Sequence, residues 1–162
     1  FGVWCPTAAT SRVSRCKARS PTRPFGSGPG ASSSFAQSNA VSVGAVDADV
    51  AVRLTDVDEA GTHWVVGEGI QRLSLADSFT TQTLLTPHEP VAVTVELTND
   101  LAYTLSPGHR LGVLISGSHY ARFDRNPCNG EHFFTTPGEA VTTTITLHLD
   151  GEQRVELDTI TP

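Results

Sequence analysis

The sequence predicts an all-β fold, namely an antiparallel β-sandwich. Short segments of alternating apolar and polar residues recur through residues 45–162, and turn residues separate them about every ten positions. The chain also contains 14 glycines and 10 prolines, which favour turns over long helices. Only the segment RLSLADSF allows one short helical turn.

Composition divides the chain at residue 44. Residues 1–44 hold five of the 11 basic residues and none of the 17 acids, and they are rich in Ser, Pro and Gly. This composition predicts a disordered arm, with the sandwich over residues 45–162. A competing hypothesis attributes the arm to out-of-frame translation of a GC-rich gene. A basic arm could also contact phosphates, but its aromatic residues lie outside the basic cluster, so we expect no nucleic-acid partner.

The first strand pair is predicted around the turn in VDEAGTHW. Val50, Val52 and Leu54 share one face of a strand, which predicts a half-buried strand. Beyond the glycine of the turn, alternation resumes at Trp64, so the two segments are expected to form a hairpin.

Two further strands are predicted in the centre of the sequence. In VAVTVEL the valines and the leucine face inward, and Ala92, Thr94 and Glu96 face outward. Pro107 and Gly108 fit the centre of a type II turn, which leads into a strand with an apolar face formed by Leu111, Val113 and Ile115. The last predicted element is a hairpin around the dipeptide DG at residues 150–151.

The sequence contains no recognisable catalytic centre. A G-x-S-x-G elbow is absent, and Ser118 and His119 are neighbours on an extended chain, where adjacent side chains point to opposite faces. Cys128 and His132 are too few for a metal site. We therefore predict no catalytic residue, no metal and no cofactor. A cluster of acids is interpreted as solvated strand ends: Asp47, Asp49, Asp56, Asp58 and Glu59.

The segment ARFDRNPCNG is predicted to be an ordered crossing loop. Arg122, Asp124 and Arg125 bracket Phe123, so a carboxylate can accept charge-assisted hydrogen bonds while the ring is buried as an anchor. The turn signals that begin at Asn126 then redirect the chain. This loop is expected to have a structural role.

Several motifs together resemble one known family. They are L-T-D-V followed by a glycine, E-G-I-Q-R, P-G-H-R-L-x-x-x-I-S and R-F-D-R-N, within DADVAVRLTDVDEAGTHWVVGEGIQRLSLADSF and LTPHEPVAVTVELTNDLAYTLSPGHRLGVLISGSHYARFDRNPCNGE. This region resembles the C-terminal non-catalytic domain of the X-Pro dipeptidyl-peptidase and cocaine esterase family of serine hydrolases.

The resemblance implies a jelly-roll, galactose-binding-like sandwich packed against an α/β-hydrolase catalytic domain. The nucleophile, acid and histidine of the family belong to that domain, which is absent from this sequence. Because the family's sandwich has strands upstream of Asp47, the first strands are expected to be missing here. The residues that carry over are a structural or domain-contacting set: Arg110, Phe123, Asp124, Arg125 and Asn126.

The expected function is therefore an accessory domain, as a fragment, of a dipeptidyl-peptidase or esterase that works by acyl-serine chemistry. The expected role is to brace the catalytic domain and shape access to its active site. The alternative is a carbohydrate- or ligand-binding sandwich without catalysis. With no apolar run long enough to cross a bilayer and no signal peptide, the expected location is cytoplasmic.

Overall fold

The computed structural model of the chain describes residues 24–25, 34–98, 103–131, 139–148 and 153–156. Most of the basic N-terminal segment, His132 and the predicted turn at residues 150–151 lie outside these ranges. No helix in the described ranges is long and apolar enough to cross a membrane.

Nine strands and one 3-10 turn make up the regular structure of the described residues, which include no α-helix. The prediction of an all-β chain is confirmed. The 3-10 turn is Leu73–Leu75, inside the segment where the sequence allowed one helical turn. The strands are β1 Pro24–Phe25, β2 Ser34–Val43, β3 Asp49–Val57, β4 His63–Arg72, β5 Val91–Glu96, β6 Tyr103–Thr104, β7 Arg110–Ser116, β8 Ile145–Leu147 and β9 Gln153–Glu156.

The strands form two main antiparallel sheets. The β2 sheet has the order β5-β2-β8, with β9 also paired to β2, and the β3 sheet has the order β4-β3-β7. A small pair, β1 with β6, stands apart from both. Val43 and Val95 of the β2 sheet and Val50 and Val52 of the β3 sheet belong to one buried apolar cluster. The antiparallel sandwich that the alternating pattern predicted is therefore confirmed.

Strand β3 is the centre of its sheet, and it forms the predicted hairpin with β4. The prediction that β3 is half-buried is wrong, because every residue of the strand except Arg53 is buried. Ala51 and Thr55 point away from the apolar core, yet they are 1% and 0% exposed.

Regular structure is present before residue 44, within the segment that the composition predicted to be disordered. Strand β2 starts at Ser34 and pairs with β5, β8 and β9, so strands do lie upstream of Asp47. Sequence analysis missed β2 because its apolar residues are separated by small Ser and Ala residues, a composition typical of a linker. A register shift between Gln37 and Val41 also breaks the period of two.

The predicted C-terminal hairpin is wrong. Strands β8 and β9 both run antiparallel to β2, along the same edge of it, and so they run in the same direction. Val41 pairs with Leu147, and Gln37 pairs with Gln153. Between these two pairs β2 covers four residues and the C-terminal segment covers six, a difference of two.

The central predictions are confirmed. In β5, Val93 and Val95 are buried, and the alternate residues of the strand are exposed. The backbone N–H of His109 donates to the carbonyl of Ser106 over 3.1 Å. Gly108 has a φ of 83°, which the third position of a type II turn requires.

Candidate interaction loop

The loop of residues 117–131 follows β7 and crosses the outer face of the β3 sheet. In antiparallel pairs, directly opposite residues point to the same face. The register places Asp49 and Arg53 of β3, with Glu68 of β4, on the face away from the apolar core. Asn126 bonds to Asp49 and Arg122 bonds to Glu68, so the loop is attached to this outer face at two places.

A buried polar network holds the base of the loop at Asn126. The side-chain amide of Asn126 donates to Asp47 Oδ2 and to Asp49 Oδ1, each over 2.9 Å. Asp47 Oδ1 accepts from the backbone N–H groups of Ala48 and Ser74 over 2.9 and 3.0 Å. Both carboxylates and the amide are almost fully buried. These contacts tie the loop to the start of β3 and to the 3-10 turn.

Arg72 supplies the positive charge of this network. Its guanidinium bonds to both carboxylate oxygens of Asp49, while its Nε lies 4.0 Å from Asp47 Oδ2. Burial raises the pKa of Asp49, and the charge of Asp47 adds to this, although the Arg72 hydrogen bonds oppose it. Two buried carboxylates thus share one guanidinium, and the pKa of Asp49 stays above its ordinary value.

Asn126 also shapes the chain that follows it. Its Oδ1 accepts from the backbone N–H of Cys128 over 2.9 Å, and Cys128 has a left-handed φ of 61°. The Cys128 side chain is 4% exposed and belongs to the apolar core. Among the described residues no group of three His, Cys, Asp or Glu side chains could hold a metal ion.

The middle of the loop is attached to Glu68. Arg122 Nε donates to Glu68 Oε1 over 2.6 Å, and His119 Nδ1 lies 3.4 Å from Glu68 Oε2. The His119 contact is misaligned for a hydrogen bond, and the buried Nδ1 has no hydrogen-bond partner among the described residues. We therefore regard it as an ion-pair contact that depends on protonation. Phe123 packs edge-on to His119 at 5.9 Å and lies 5.4 Å from the Arg122 guanidinium carbon.

The apex of the loop presents an aromatic side chain to solvent. Tyr120 is 60% exposed, and the Arg125 guanidinium carbon lies 4.0 Å from the centre of its ring. The backbone N–H of Phe123 donates to the His119 carbonyl over 2.9 Å and closes the turn beneath Tyr120. The exposed aromatic ring is thus supported by a closed turn and a stacked cation.

The structure places the residues carried over from the family at different depths. Asn126 is buried, Phe123 and Arg125 are half-buried, and Asp124 is exposed. The carboxylate that Arg122 contacts is Glu68 and not a loop residue. Arg110 is exposed at the start of β7, on the same outer face as the loop.

The interpretation of the acidic cluster as solvated strand ends is wrong for Asp47, Asp49 and Asp56, which are all buried. Sequence analysis thereby missed the network beneath the loop. The β3–β4 hairpin register puts Arg72 directly opposite Asp49. Counting outward from the turn does not pair these charges, because the register shift between Leu54 and Thr55 adds a residue to β4, and an unshifted count puts Gln71 opposite Asp49.

Asp56 forms a second buried network at the other end of β3. Tyr103 donates its hydroxyl to Asp56 Oδ2 over 2.7 Å, and His109 Nδ1 lies 2.8 Å from Oδ1. These contacts fix the turn before β7 and the short strand β6 on the β3 sheet. Asp58, at the adjacent hairpin tip, accepts from Thr62 N and from Trp64 Nε1.

The loop does not assemble a serine-hydrolase triad from Ser118, His119 and Asp124. His119 faces Glu68, Asp124 is exposed, and the Ser118 carbonyl accepts a hydrogen bond from the Ser116 hydroxyl. In this arrangement Asp124 does not face His119, so these three side chains do not form a triad.

Comparison with known families decides the affiliation. The family described as the X-Pro dipeptidyl-peptidase C-terminal non-catalytic domain matches residues 39–158. The chain belongs to this family. The match includes β2 from residue 39 onward, β3, β4 and the whole of the loop.

Similar proteins agree with this affiliation. Over 90 residues, 56% of the chain, it is 32% identical to the cocaine esterase of Rhodococcus sp. (strain MB1 Bresler). An alpha-amino acid ester hydrolase structure superposes with a TM-score of 0.61 at 27% identity, over 75% of the chain. An aminopeptidase from the marine sediment archaeon Thaumarchaeota archaeon gives 0.67 at 21% identity over 86% of the chain, which supports the fold alone. The chain spans only 16% of the cocaine esterase, 21% of the ester hydrolase and 24% of the aminopeptidase.

Proposed function

We propose that this chain is the accessory sandwich of a serine hydrolase, where it braces an α/β-hydrolase catalytic domain and shapes access to its active site. The observation that carries the proposal is the loop of residues 117–131, which is anchored by buried hydrogen bonds and still presents exposed side chains. The family affiliation supplies the kind of protein in which such a surface would operate.

A loop fixed in advance suits this role, because association costs free energy whenever mobile side chains must be ordered. The Asp47, Asp49 and Asn126 contacts fix the loop before any partner is present. Tyr120 is then held by Arg125 in an exposed position. Tyr and Arg are also the residue types that contribute most often to binding energy at protein interfaces.

In this proposal the chemistry belongs to the partner domain, which would form and hydrolyse an acyl-serine ester as a dipeptidyl-peptidase or an esterase. Arg110, Phe123, Asp124, Arg125 and Asn126 then have structural or contacting roles. No cofactor is required for that chemistry, and a cytoplasmic location stays part of the proposal.

The carbohydrate-binding alternative is favoured by one feature, the side chain of Trp64. Its indole is 58% exposed and is held by Asp58, as a stacking platform for a sugar would be. A screen against simple sugars, with Trp64→Ala as the control, would distinguish the two functions. The accessory-domain proposal predicts no sugar-dependent change in Trp64 fluorescence.

A chimera tests the proposal directly. In the Rhodococcus cocaine esterase, the C-terminal stretch that matches this chain would be replaced by residues 39–158. We expect the chimera to hydrolyse an ester and to resist heat inactivation better than the esterase truncated before that stretch. The 162-residue chain alone is expected to give no turnover.

Substitutions in the chimera test whether the accessory domain stabilises the esterase through specific contacts or only by keeping it soluble. Tyr120→Ser should shorten the half-life at elevated temperature, whereas Thr94→Ser, on the exposed side of β5, should not. A chimera no more heat-stable than the truncated esterase, or ester turnover by the 162-residue chain alone, would contradict the proposal.

A further inference from the structure

The cations of the sandwich are concentrated on one side of it. Beyond residue 44 the chain has six arginines against 17 acids. Arg53 and Arg110 lie on the outer face of the β3 sheet, because Arg53 is opposite Glu68, and Arg110 is opposite Val57 on the same side of β3. The loop on this face adds Arg122 and Arg125. We call this set of four arginines, together with Val65 and Tyr120, the basic face.

The acids of the same side are mostly neutralised. Glu68 is bonded to Arg122, and the buried Asp49 is bonded to Arg72. Within the described residues no carboxylate lies within 4.0 Å of Arg53 or Arg110. One exposed acid, Asp124, lies on the loop itself, and Glu59 at the tip of the β3–β4 hairpin lies beside Gly108, two residues before Arg110. The four arginines outnumber these two acids and Glu68, so the basic face is positively charged in a protein with a net charge of −6.

The basic face is also partly apolar. Val65 is opposite Thr55, and so points outward, and its side chain is 53% exposed. Tyr120 is 60% exposed on the loop that crosses this face. Leu114 is opposite Arg53 on this face and lies four positions after Arg110 along β7, which is about 13 Å of strand. Arginines around exposed apolar and aromatic groups over such a span have the composition of a protein interface.

We propose that the basic face is the surface that docks onto the catalytic domain, and that it recognises an acidic patch around an apolar pocket there. This inference rests on the function proposed above and specifies its contact surface. Charge complementarity selects the occupant, because a negatively charged domain with one positive face is steered towards an acidic partner in a single orientation. A nucleic acid fits less well, since it would be repelled by the acids elsewhere and would leave Val65 uncovered.

Binding in trans tests the inference. The 162-residue chain would be titrated with the catalytic part of the Rhodococcus cocaine esterase, expressed without the stretch that matches this chain, and Kd would be measured by calorimetry. Arg110→Gln removes one positive charge from the basic face. Thr94→Glu makes the same change in net charge on the exposed side of β5 and serves as the matched control.

We expect Arg110→Gln and Tyr120→Ser each to raise Kd at least about fivefold, and Thr94→Glu to leave it within about twofold. Raising the salt concentration from about 0.05 M to about 0.5 M should also weaken wild-type binding, because it screens exposed charges. Both substitutions are at exposed positions, so near-ultraviolet circular dichroism of each variant should match that of the wild type.

The other outcomes are also informative. If neither Arg110→Gln nor Tyr120→Ser changed Kd, the basic face would not be the docking surface, and the proposed accessory function would still stand. No binding by the wild-type chain contradicts the accessory function, and the inference fails with it. Tighter binding to a single-stranded oligonucleotide than to the catalytic part, lost in Arg110→Gln, overturns the inference in favour of a nucleic-acid surface.

Discussion

The carboxylate of Asp49 is bonded at both of its oxygens by the guanidinium of Arg72, from Nε over 2.8 Å and from Nη2 over 3.1 Å. This pair lies where the first residue of β3 meets the last residue of β4. It is the point at which the hairpin, the 3-10 turn and the loop of residues 117–131 are joined. The first prediction concerns the proton balance of this junction.

We expect the contribution of Asp49 to stability to fall as the pH rises. Burial raises the pKa of Asp49 above its ordinary value of 3.8, so the folded protein binds this proton more tightly than the unfolded chain does. The resulting stabilisation is fully present below pH 3.8, and is lost as the pH rises through the raised pKa. The free energy of unfolding of the wild type minus that of Asp49→Asn should therefore decrease from about pH 4 upward.

Carboxyl NMR titration gives an independent check on this prediction. The charge of Asp47 contributes to the raised pKa of Asp49, so Asp47→Asn should lower the Asp49 midpoint. An Asp49 midpoint below its ordinary range in the wild type would show that Arg72 outweighs burial, and would refute the prediction.

Asn126→Ala should destabilise the chain by about 2 to 4 kcal/mol, because it removes three buried hydrogen bonds and leaves Asp47 Oδ2 without its hydrogen-bond donor. The lost bonds are those to Asp47, to Asp49 and from Cys128 N. Urea unfolding followed by tryptophan fluorescence measures the change. The matched control in the same loop is Asp124→Ala, whose side chain is exposed, and it should change stability by less than about 0.5 kcal/mol. Equal effects of the two substitutions would mean that the network does not anchor the loop.

Gly69→Ala should cost at least about 3 kcal/mol, because the backbone of β5 lies directly against this glycine of β4. A Cβ at position 69 would clash with the carbonyl oxygen of Glu96, a backbone atom of β5 that cannot rotate away. Gly61→Ala provides the comparison, since its φ of 86° is strained for alanine but no atom lies within 4 Å of the added Cβ. That control should cost about 1 kcal/mol. Thermal unfolding of both variants tests which substitution costs more stability. A larger loss of stability for Gly61→Ala would contradict the proposed close approach of β5 to Gly69.

The sequence predicted those parts of the fold that depend on local period and turn chemistry. The alternation of β5 and the turn at Gly108 are both present, because a half-buried edge strand and a type II turn are specified by neighbouring residues. Strand β2 was missed because its small residues and register shift conceal the alternation. The predicted C-terminal hairpin was wrong because an Asp-Gly pair does not determine the direction of the strand that follows it. In the structure β8 and β9 run in the same direction along one edge of β2.

The candidate site was predicted only in part, for a related reason. The position and order of the loop followed from the charged and turn residues near Phe123. Its supports did not, because Glu68 and Asp49 are far from the loop in sequence and are joined to it only by sheet register. The sequence alone does not distinguish an acid that is buried from one that is exposed to solvent. Only the pairing of the strands reveals which acids have a donor opposite them.

The last prediction concerns the network at Asp56. The pKa of Tyr103 is raised above its usual 10.0, first because its hydroxyl donates to Asp56 and then because of desolvation and the nearby negative charge. A raised folded pKa means that this stabilisation is present below pH 10.0 and is lost as the pH rises through the folded value. Because the chain has two tyrosines, a Tyr120→Phe background leaves Tyr103 as the one phenol to titrate.

In that background, phenolate absorbance should rise at a higher pH than in a tyrosine peptide. Adding Asp56→Asn should lower the midpoint, because an amide neither accepts the hydroxyl proton as strongly nor opposes the phenolate charge. His109 also contacts Asp56, so His109→Gln is needed as a control for displacement of the carboxylate. If Asp56→Asn left the Tyr103 midpoint unchanged, the hydroxyl would not be bonded to Asp56 in solution, and β6 would lack the attachment to the β3 sheet described above.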